Sequence, residues 1–448
     1  MSLNFPYPID AASAVPFVID VEKSFIDETV AKAASYRPSI DLLDDSNADW
    51  LEGPPRANMT ALAEYWTNEY DWDTEQNYIN GNLSHFFITV PETPNWPHPV
   101  PLHFTHSLAD DDDALPLLLL HGWPSTSWMW QNVAHPLAKP VDDSLGAYHI
   151  VAPDLPGFGF SPSPGYAGLD PIALAGVLDA FMVQLGYSRY GIVSTDLGWW
   201  IAMRMAETLP EGRIAGHFCD FFLSAPNATD LERYENNQTT EAEARLIASS
   251  QAWFNKHTGY QYAQTQQPLS LGQALADSPV GFAGWIWRMI YSISDGYSYT
   301  FDELITQTLL IFIQGTWGNL RYYKNFFAVS HRVPTNYFLS FSTANIYSQP
   351  GAMDFVRTEV PTAMSQWGLA GGPYPELADF NYIVSPATLY AINPSRKLTE
   401  DHVQPRDWLE RLANIREVYH HESGGHFPAT NLPNEWIADV RHFFGTHV

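Results

Sequence analysis

The chain has 448 residues, of which 50 are acidic and 22 are basic, so its formal net charge is −28 with the 16 His taken as neutral. An acidic balance of this size repels phosphate groups and anionic headgroups, which argues against nucleic acid or a membrane surface as the main partner. Apolar residues make up 45% of the chain and charged residues 16%, which argues for a large buried core and against wholesale disorder.

Cysteine content and targeting signals narrow the class of protein further. Cys219 is the one cysteine in the sequence, so no intramolecular disulfide can form and packing must stabilise the fold. The first residues lack a charged segment followed by an apolar one, and no apolar run approaches the roughly 20 residues of a membrane-spanning helix. We therefore expect a soluble, cytoplasmic protein with no integral membrane segment. The sequence leaves secretion and a homodimer open.

The N-terminal residues 1–84 contain no pattern of alternating strands and helices. They offer a strand-like stretch at 15–20, then helical stretches with closely spaced aromatics at 65–72. We expect an N-terminal arm that packs on the main body through these aromatic side chains. Two further strands are predicted at 85–90 and 100–104.

Residues 85–227 then follow a rhythm of strand, loop and helix. Unbroken apolar strands are typical of strands buried on both faces, as in a mostly parallel sheet covered by helices. The fold class is therefore predicted as α/β. The predicted strands of this part are 115–120, 149–152, 190–193 and 216–223, and the predicted helices include 171–185 and 200–209.

After residue 227 the strand rhythm stops. Residues 228–380 are interpreted as a helical lid rich in aromatic residues, with an extra element at about 330–380. Such an insertion would lie over the carboxyl edge of the sheet, where open α/β folds bind ligands. Residues 381–448 complete the core, with strands at 387–392 and 416–420 and a last helix at 434–444.

A sharp strand-to-helix turn is predicted at residues 194–199, with Asp196 where a nucleophile elbow places its reactive side chain. The chain contains no Gly-x-Ser-x-Gly, so an ordinary serine esterase would lack its nucleophile. Amides at the N-terminus of a helix favour an ionised carboxylate at this position. The alternative interpretation of Asp196 is a helix N-cap.

Other motifs stand where such a nucleophile needs partners. His121-Gly-Trp-Pro124 follows a predicted strand, so the backbone amides of Trp123 and Leu197 could form an oxyanion hole. We interpret His121 itself as structural. Asp154, in the turn at 154–161, is interpreted as a turn former.

A candidate base and acid follow in the chain order nucleophile, acid, histidine. His426 lies in a Gly-Gly-His-Phe loop whose glycines let the imidazole reach the elbow, with His420 and His421 as competitors. The acid is expected after the strand at 387–392, where Glu400 and Asp401 both occur.

Taken together, these motifs resemble the α/β-hydrolase-fold epoxide hydrolases, and specifically their microsomal-type branch. The N-terminal stretch 64–86 and the lid motifs at 259–260, 277–281 and 321–325 are similar to that family as well. The resemblance implies an α/β-hydrolase fold with an N-terminal arm and a helical lid. Trp199 departs from the family pattern, because that position after the elbow is normally small.

The resemblance also implies a reaction. Asp196 would attack an epoxide carbon to form a covalent ester, while Tyr260 and Tyr323 donate hydrogen bonds to the departing oxygen. His426 would then activate water, oriented by Glu400 as the acid of the triad or by Asp401 in reserve. The implied partners are a small apolar epoxide and water, with no cofactor and no metal. Most other tyrosines, including Tyr262 and Tyr322, are interpreted as packing residues.

Two other functions stay open from the sequence. A haloalkane dehalogenase also uses an Asp and a His, but it typically carries Trp directly after the nucleophile, where this chain has Leu197. A catalytically inactive hydrolase-fold binding protein would have no reason to keep the Asp, the His, the acid and both lid tyrosines together.

Overall fold

A nine-stranded sheet packed against helices organises the described part of the molecule. The computed structural model describes residues 7–44, 50–142, 144–224, 226–327, 355–369, 372–377 and 405–448. Within these residues nine strands form one sheet, in the spatial order β1-β2-β3-β5-β4-β6-β7-β8-β9. The strands are β1 (Val15–Pro16), β2 (His85–Val90), β3 (Val100–Ser107), β4 (Pro116–Leu120), β5 (His149–Pro153), β6 (Tyr190–Ser194), β7 (Ile214–Cys219), β8 (Thr358–Trp367) and β9 (Ala413–His421).

The sheet is antiparallel at one edge and parallel elsewhere. Strands β1, β2, β3 and β5 pair antiparallel in that order, whereas β5, β4, β6, β7, β8 and β9 are parallel neighbours. The central strands β4, β5 and β6 are buried along their whole length, as their continuous apolar runs predict. The predicted α/β class with a mostly parallel sheet is confirmed.

Helices cover the sheet and form the lid. Helices α7 to α13 lie between β7 and β8 in the chain, in the segment predicted as the lid. The helices are α1 (Lys23–Ala34), α2 (Arg56–Asn68), α3 (Trp72–Asn82), α4 (Ala134–Ala138), α5 (Pro171–Gln184), α6 (Asp196–Thr208), α7 (Ala228–Glu235), α8 (Glu241–Lys256), α9 (Gly259–Gln266), α10 (Pro268–Ala276), α11 (Pro279–Ile293), α12 (Phe301–Phe312), α13 (Trp317–Phe327), α14 (Arg406–Glu410), α15 (Pro428–Asn431) and α16 (Pro433–His447).

The N-terminal arm packs through its aromatic residues, and it contacts the lid as well as the sheet. Trp66 and Trp72 are buried in a cluster that includes side chains of α11 and α12. Tyr65 donates to the carboxylate of Asp302 at 2.9 Å, and the hydroxyl of Tyr70 lies 2.9 Å from that of Thr306. The arm therefore links the antiparallel edge of the sheet to helix α12.

The strand expected at residues 15–20 is shorter than predicted. Only Val15–Pro16 pairs with β2. Beyond it, the amides of Ile19 and Val21 donate to the side chains of Asn80 and Gln76 on α3. Side chains of a neighbouring helix therefore satisfy this backbone in place of another strand.

The C-terminal half of the sheet contains a strand that was not predicted. No strand was predicted between residues 228 and 380, yet β8 occupies Thr358–Trp367, between β7 and β9. The strand predicted at 387–392 and most of the element predicted at 330–380 lie outside the described residues. Strand β9 and helix α16 occur where a strand and a last helix were predicted.

None of the helices in the described ranges is both long enough and apolar enough to cross a membrane.

Candidate active site

The centre of the site is the turn between β6 and α6. Strand β6 ends at Ser194 and helix α6 begins at Asp196, whose φ of 44° is in the left-handed region. A non-glycine residue in this region is strained, and the conformation persists only where the surrounding structure holds it in place. Such strained residues cluster at functional sites. A Cβ atom at Gly198 would collide with the carbonyl oxygen of Leu120, so glycine allows the helix to approach β4 closely.

A backbone amide binds the carboxylate of Asp196. The amide of Trp123 donates to Oδ1 of Asp196 at 2.8 Å. Leu197 is the second residue of α6, and its amide belongs to the first turn, where helical amides have no acceptor within the helix. A Cβ atom at Gly122 would collide with the Asp196 carboxylate, so this position also needs glycine. The amide of Trp123 therefore contacts Asp196, whereas the oxyanion role of Trp123 and Leu197 stays a prediction.

Buried polar groups hold the loop that carries Trp123 in place. The amide of Leu155 donates to Nε2 of His121 at 3.0 Å, which confirms the structural interpretation of His121. Asp154 accepts from the amides of Ser127 and Phe160, so it does form the turn. Burial alone would raise the pKa of Asp154, but the charge and hydrogen bond of His103 lower it to about 2.

His426 lies beside Asp196. Its Nε2 is 3.5 Å from Oδ2 of Asp196, and the residue is 7% exposed. Gly424 and Gly425 have φ of 123° and 64°, as expected for a loop that turns sharply to bring the ring over the elbow. The competitor His421 stacks on Trp367 and hydrogen-bonds to Asp439 at 2.6 Å.

The end of helix α11 anchors the histidine loop. The amide of His426 donates to the carbonyl of Ile293 at 2.8 Å, and the amide of Gly424 donates to Asp295 at 3.0 Å. Asn431 donates to the carbonyl of Ser294 at 3.2 Å. The lid therefore sets the position of the candidate base.

Two lid tyrosines stand above the oxyanion loop. The ring of Tyr260 stacks on Trp123 with 5.2 Å between centroids, and Tyr323 packs edge-on against Tyr260 at 5.6 Å. The hydroxyl of Tyr323 hydrogen-bonds to that of Tyr260. Burial and the charge of Asp196 raise the pKa of Tyr260, so its phenol stays protonated near neutral pH.

The neighbouring tyrosines have different surroundings. Tyr322 is buried against the ring of Phe158, at 5.0 Å between centroids, and its hydroxyl has no hydrogen-bond partner among the described residues. Tyr262 is 38% exposed. Of the adjacent pair at 322 and 323, the residue beside Tyr260 is therefore Tyr323.

A pocket beneath the lid has about 410 Å³ of empty space, part of which is open to solvent. Its polar side chains are Asp196, Tyr260, Gln261 and His426, and the remaining walls are apolar. Those apolar walls are Trp123, Phe221, Leu223, Trp253, Met289 and Ile293.

Glu400 and Asp401, the two candidates for the acid, both lie outside the described residues. A buried carboxyl group that sequence reasoning missed, Asp220, directly follows β7 and accepts a hydrogen bond from the indole of Trp436 at 2.8 Å. Burial raises the pKa of Asp220 to about 6, and the charge of His426 acts in the opposite direction. The sequence signal was an acidic residue inside an apolar run.

Trp199 does not disrupt the elbow. Its indole is buried against Phe221, Phe222 and Phe355, with centroid distances of 6.2, 5.2 and 5.2 Å. The large side chain is therefore accommodated by an aromatic cluster on the side of α6 that faces residue 355. In the described part of the chain, no group of three or more His, Cys, Asp or Glu side chains is arranged to hold a metal ion.

The fold and the site define an α/β hydrolase with aspartate at the nucleophile position. Two family models match the chain: one described as epoxide hydrolase N terminus over residues 14–130, and one described as alpha/beta hydrolase fold over residues 116–294. The N-terminal arm and the elbow therefore each match a family segment in the expected order.

Curated relatives and a solved structure are also similar to the chain. A putative epoxide hydrolase of Stigmatella aurantiaca is 31% identical over 285 residues, which cover 62% of this chain and 60% of that protein. Epoxide hydrolase 1 of Sus scrofa is 23% identical over 429 residues, covering 88% and 89% of the two chains. The structure of Aspergillus niger epoxide hydrolase, at 18% identity, covers 99% of both chains with a TM-score of 0.75. The chain is therefore similar to α/β-hydrolase-fold epoxide hydrolases, and its N-terminal segment matches the epoxide hydrolase N-terminus model.

Proposed function

We propose that the protein hydrolyses an apolar epoxide to a vicinal diol through a covalent ester on Asp196. The observation that carries this proposal is the convergence of a carboxylate, an imidazole and a phenol on one apolar cavity, with 3.5 Å between His426 and Asp196. A carboxylate can form an ester that water cleaves, and a phenol can protonate the alkoxide that ring opening creates.

In the first step, a carboxylate oxygen of Asp196 attacks one carbon of the oxirane ring. The new ester C–O bond forms as the ring C–O bond breaks, and the released oxygen takes a proton from the phenol of Tyr260, assisted by Tyr323. Because Oδ1 already accepts from the amide of Trp123, we assign the attack to Oδ2. The raised pKa of Tyr260 keeps the acid protonated until the alkoxide develops.

In the second step, His426 takes a proton from water, and the resulting hydroxide attacks the ester carbonyl carbon. The amides of Trp123 and Leu197 hold the oxyanion of the tetrahedral intermediate. The intermediate collapses with proton transfer from His426 to the leaving oxygen, which releases the diol. The remaining proton, from the new carboxylic acid, returns to the phenolate of Tyr260, so the cycle closes with one water consumed.

Glu400 remains our candidate for the acid that orients His426, with Asp401 as the alternative. A cytoplasmic location and a homodimer also remain predictions from the sequence.

The walls of the cavity favour a neutral, largely apolar substrate, because its polar groups gather around Asp196. The alternative of a dehalogenase is less well supported. The indole N–H of Trp123 donates to Asn319 at 3.1 Å, so it is already engaged in a hydrogen bond within the protein. A pure binding protein would need neither the strained turn at Asp196 nor the hydrogen bond from the amide of Trp123 to its carboxylate.

A panel of aryl, terpenoid and fatty-acid epoxides tests the proposed function. We expect the wild-type protein to convert at least one of them to its diol, measured by chromatography and mass spectrometry. Asp196→Ala should abolish turnover and leave the folded circular-dichroism spectrum unchanged. Diol formation at an undiminished rate by that variant would refute the mechanism.

A further inference from the structure

A buried amide next to the proposed acid has no role in the mechanism above. Gln261 follows Tyr260 in the first turn of α9, is 1% exposed and lines the cavity. Its Nε2 donates a hydrogen bond to the hydroxyl oxygen of Tyr260 at 2.8 Å. Adjacent residues on a helix do not normally face each other, so both side chains must turn toward the cavity to make this contact.

The hydrogen bond changes what the hydroxyl of Tyr260 can do. A phenol has one proton to donate and can accept hydrogen bonds on its oxygen. Because Gln261 donates to that oxygen and carries no negative charge, the proton of Tyr260 is left for an acceptor in the cavity. When that proton leaves, the N–H of Gln261 faces a phenolate, and hydrogen bonds to charged groups are stronger than those to neutral groups.

We infer that Gln261 is a positioning residue for the acid: it directs the proton of Tyr260 to the epoxide oxygen and stabilises the phenolate once the proton has transferred. This inference rests on the proposed function and adds a third residue to its first step. The covalent change is the one already written, in which the O–H bond of Tyr260 breaks as the ring oxygen gains the proton. Gln261 itself exchanges no proton.

The surroundings of Tyr260 oppose loss of its proton, so a hydrogen-bond donor such as Gln261 is needed to stabilise the phenolate. Burial and the nearby carboxylate of Asp196 both oppose ionisation of the phenol, while the hydrogen bonds from Gln261 and Tyr323 favour it. Ester formation neutralises Asp196 in the same step that would create the phenolate. The donor is therefore needed most in the transition state of alkylation, and it should contribute little to hydrolysis of the ester.

The same helix offers a matched control. Gln264 is fully buried and accepts a hydrogen bond from the indole of Trp285 at 3.0 Å. It is also a buried amide of α9, but it is absent from the cavity walls described above. Replacing it perturbs the packing of α9 without removing the donor to Tyr260.

The experiment is a double-mutant cycle on the rate of alkylation. Gln261→Leu and Gln264→Leu are each made in the wild-type and in the Tyr260→Phe backgrounds, and single-turnover ester formation is followed by rapid quench and mass spectrometry with an epoxide that the wild-type protein turns over. We expect Gln261→Leu to slow alkylation about 5- to 10-fold in the wild-type background and less than about 2-fold in Tyr260→Phe. Any effect of Gln264→Leu should be the same in both backgrounds.

A second variant keeps the test informative if leucine disturbs folding. Gln261→Glu retains the shape of the side chain but replaces its N–H donor by a carboxylate, so alkylation at pH 8 should be slowed at least as much. As the pH falls and this carboxyl is protonated, the rate relative to wild type should recover. The rate of ester hydrolysis should stay within about 2-fold of wild type in both Gln261 variants.

Equal slowing by Gln261→Leu in the two backgrounds, or a wild-type alkylation rate in Gln261→Glu at pH 8, would overturn the inference. Failure of the wild-type protein to form any ester would instead refute the proposed function. The two failures are therefore distinguishable in the same set of measurements.

Discussion

Replacing His426 by glutamine should separate the two chemical steps of the proposed reaction. Glutamine fills a similar volume and can hydrogen-bond, but it cannot accept a proton from water near neutral pH. The imidazole Nε2 is 3.5 Å from Oδ2 of Asp196, so the base is adjacent to the carbonyl that water must attack once the ester has formed. Ring opening needs an ionised Asp196 and an acid, and it needs no base.

The expected rate change in His426→Gln depends on the loss of general-base catalysis and the retention of oxyanion stabilisation. Positioned general-base catalysis contributes about 10²- to 10⁴-fold, or roughly 3 to 5 kcal/mol of barrier. The amide of Trp123 remains 2.8 Å from the carboxylate, so oxyanion stabilisation is retained. We expect ester formation within about tenfold of wild type and ester hydrolysis about 10²- to 10⁴-fold slower. The covalent intermediate should then accumulate to nearly one equivalent.

Intact-mass spectrometry of His426→Gln after addition of an epoxide is the assay. Ring opening expels no leaving group, so the adduct should add the full mass of the epoxide, and peptide mapping should locate it on Asp196. His421→Gln is the matched control, because His421 is already bound to Asp439 at 2.6 Å. This control should turn over like wild type without an adduct. If His426→Gln gains no mass under conditions of wild-type turnover, the assignment of the two steps is wrong.

Two buried groups lead to opposite predictions for stability against pH. Burial lowers the pKa of His217 to about 3, so the unfolded chain binds the extra proton and stability falls as the pH drops below about 6.5. At pH 5 this group alone should lower the free energy of unfolding by about 2 kcal/mol. The melting temperature of His217→Gln should therefore fall less between pH 7.5 and pH 5 than that of wild type. Equal decreases in the two proteins would contradict this prediction. Burial raises the pKa of Asp220 to about 6. Its contribution to the free energy of unfolding is therefore fully present below about pH 4 and is lost as the pH rises through 6. Asp220→Asn, which keeps an oxygen for Trp436, should therefore be about 1 to 3 kcal/mol more stable than wild type at pH 8 and gain little at pH 4; chemical denaturation at both values tests this, and an equal gain at the two would refute it.

The central sheet was predictable because its strands obey a local rule. Parallel strands covered on both faces are continuously apolar, and β4, with Pro116 followed by four leucines, is the clearest case. Strand β8 breaks that rule, since Pro361 lies within it and Thr362 and Ser365 are fully buried. Its burial depends on partners elsewhere in the chain, such as Asp439 of α16, which accepts from Ser365 at 2.7 Å. A window of sequence does not contain that information.

The same distinction applies to the site. Asp196 and His426 could be found from sequence because the strand, the turn and the flanking glycines that position them are local features. The position of Asp220 in an apolar run indicates only that it is buried, and nothing adjacent to Asp220 or Gln261 in the chain indicates which group either side chain faces. Gln261 resembles the other glutamines of α9 until the fold turns its amide toward Tyr260.

The lid positions both the proposed acid, Tyr260, and the proposed base, His426. Tyr260 lies in the first turn of α9, and the amide of His426 donates to the carbonyl of Ile293 at the end of α11. Asp196, the proposed nucleophile, instead directly follows the end of strand β6. A change that shifts the lid relative to the sheet would therefore move the acid and the base together with respect to Asp196. Substitutions in lid packing should accordingly slow both alkylation and hydrolysis, whereas substitutions at Gln261 should slow alkylation alone.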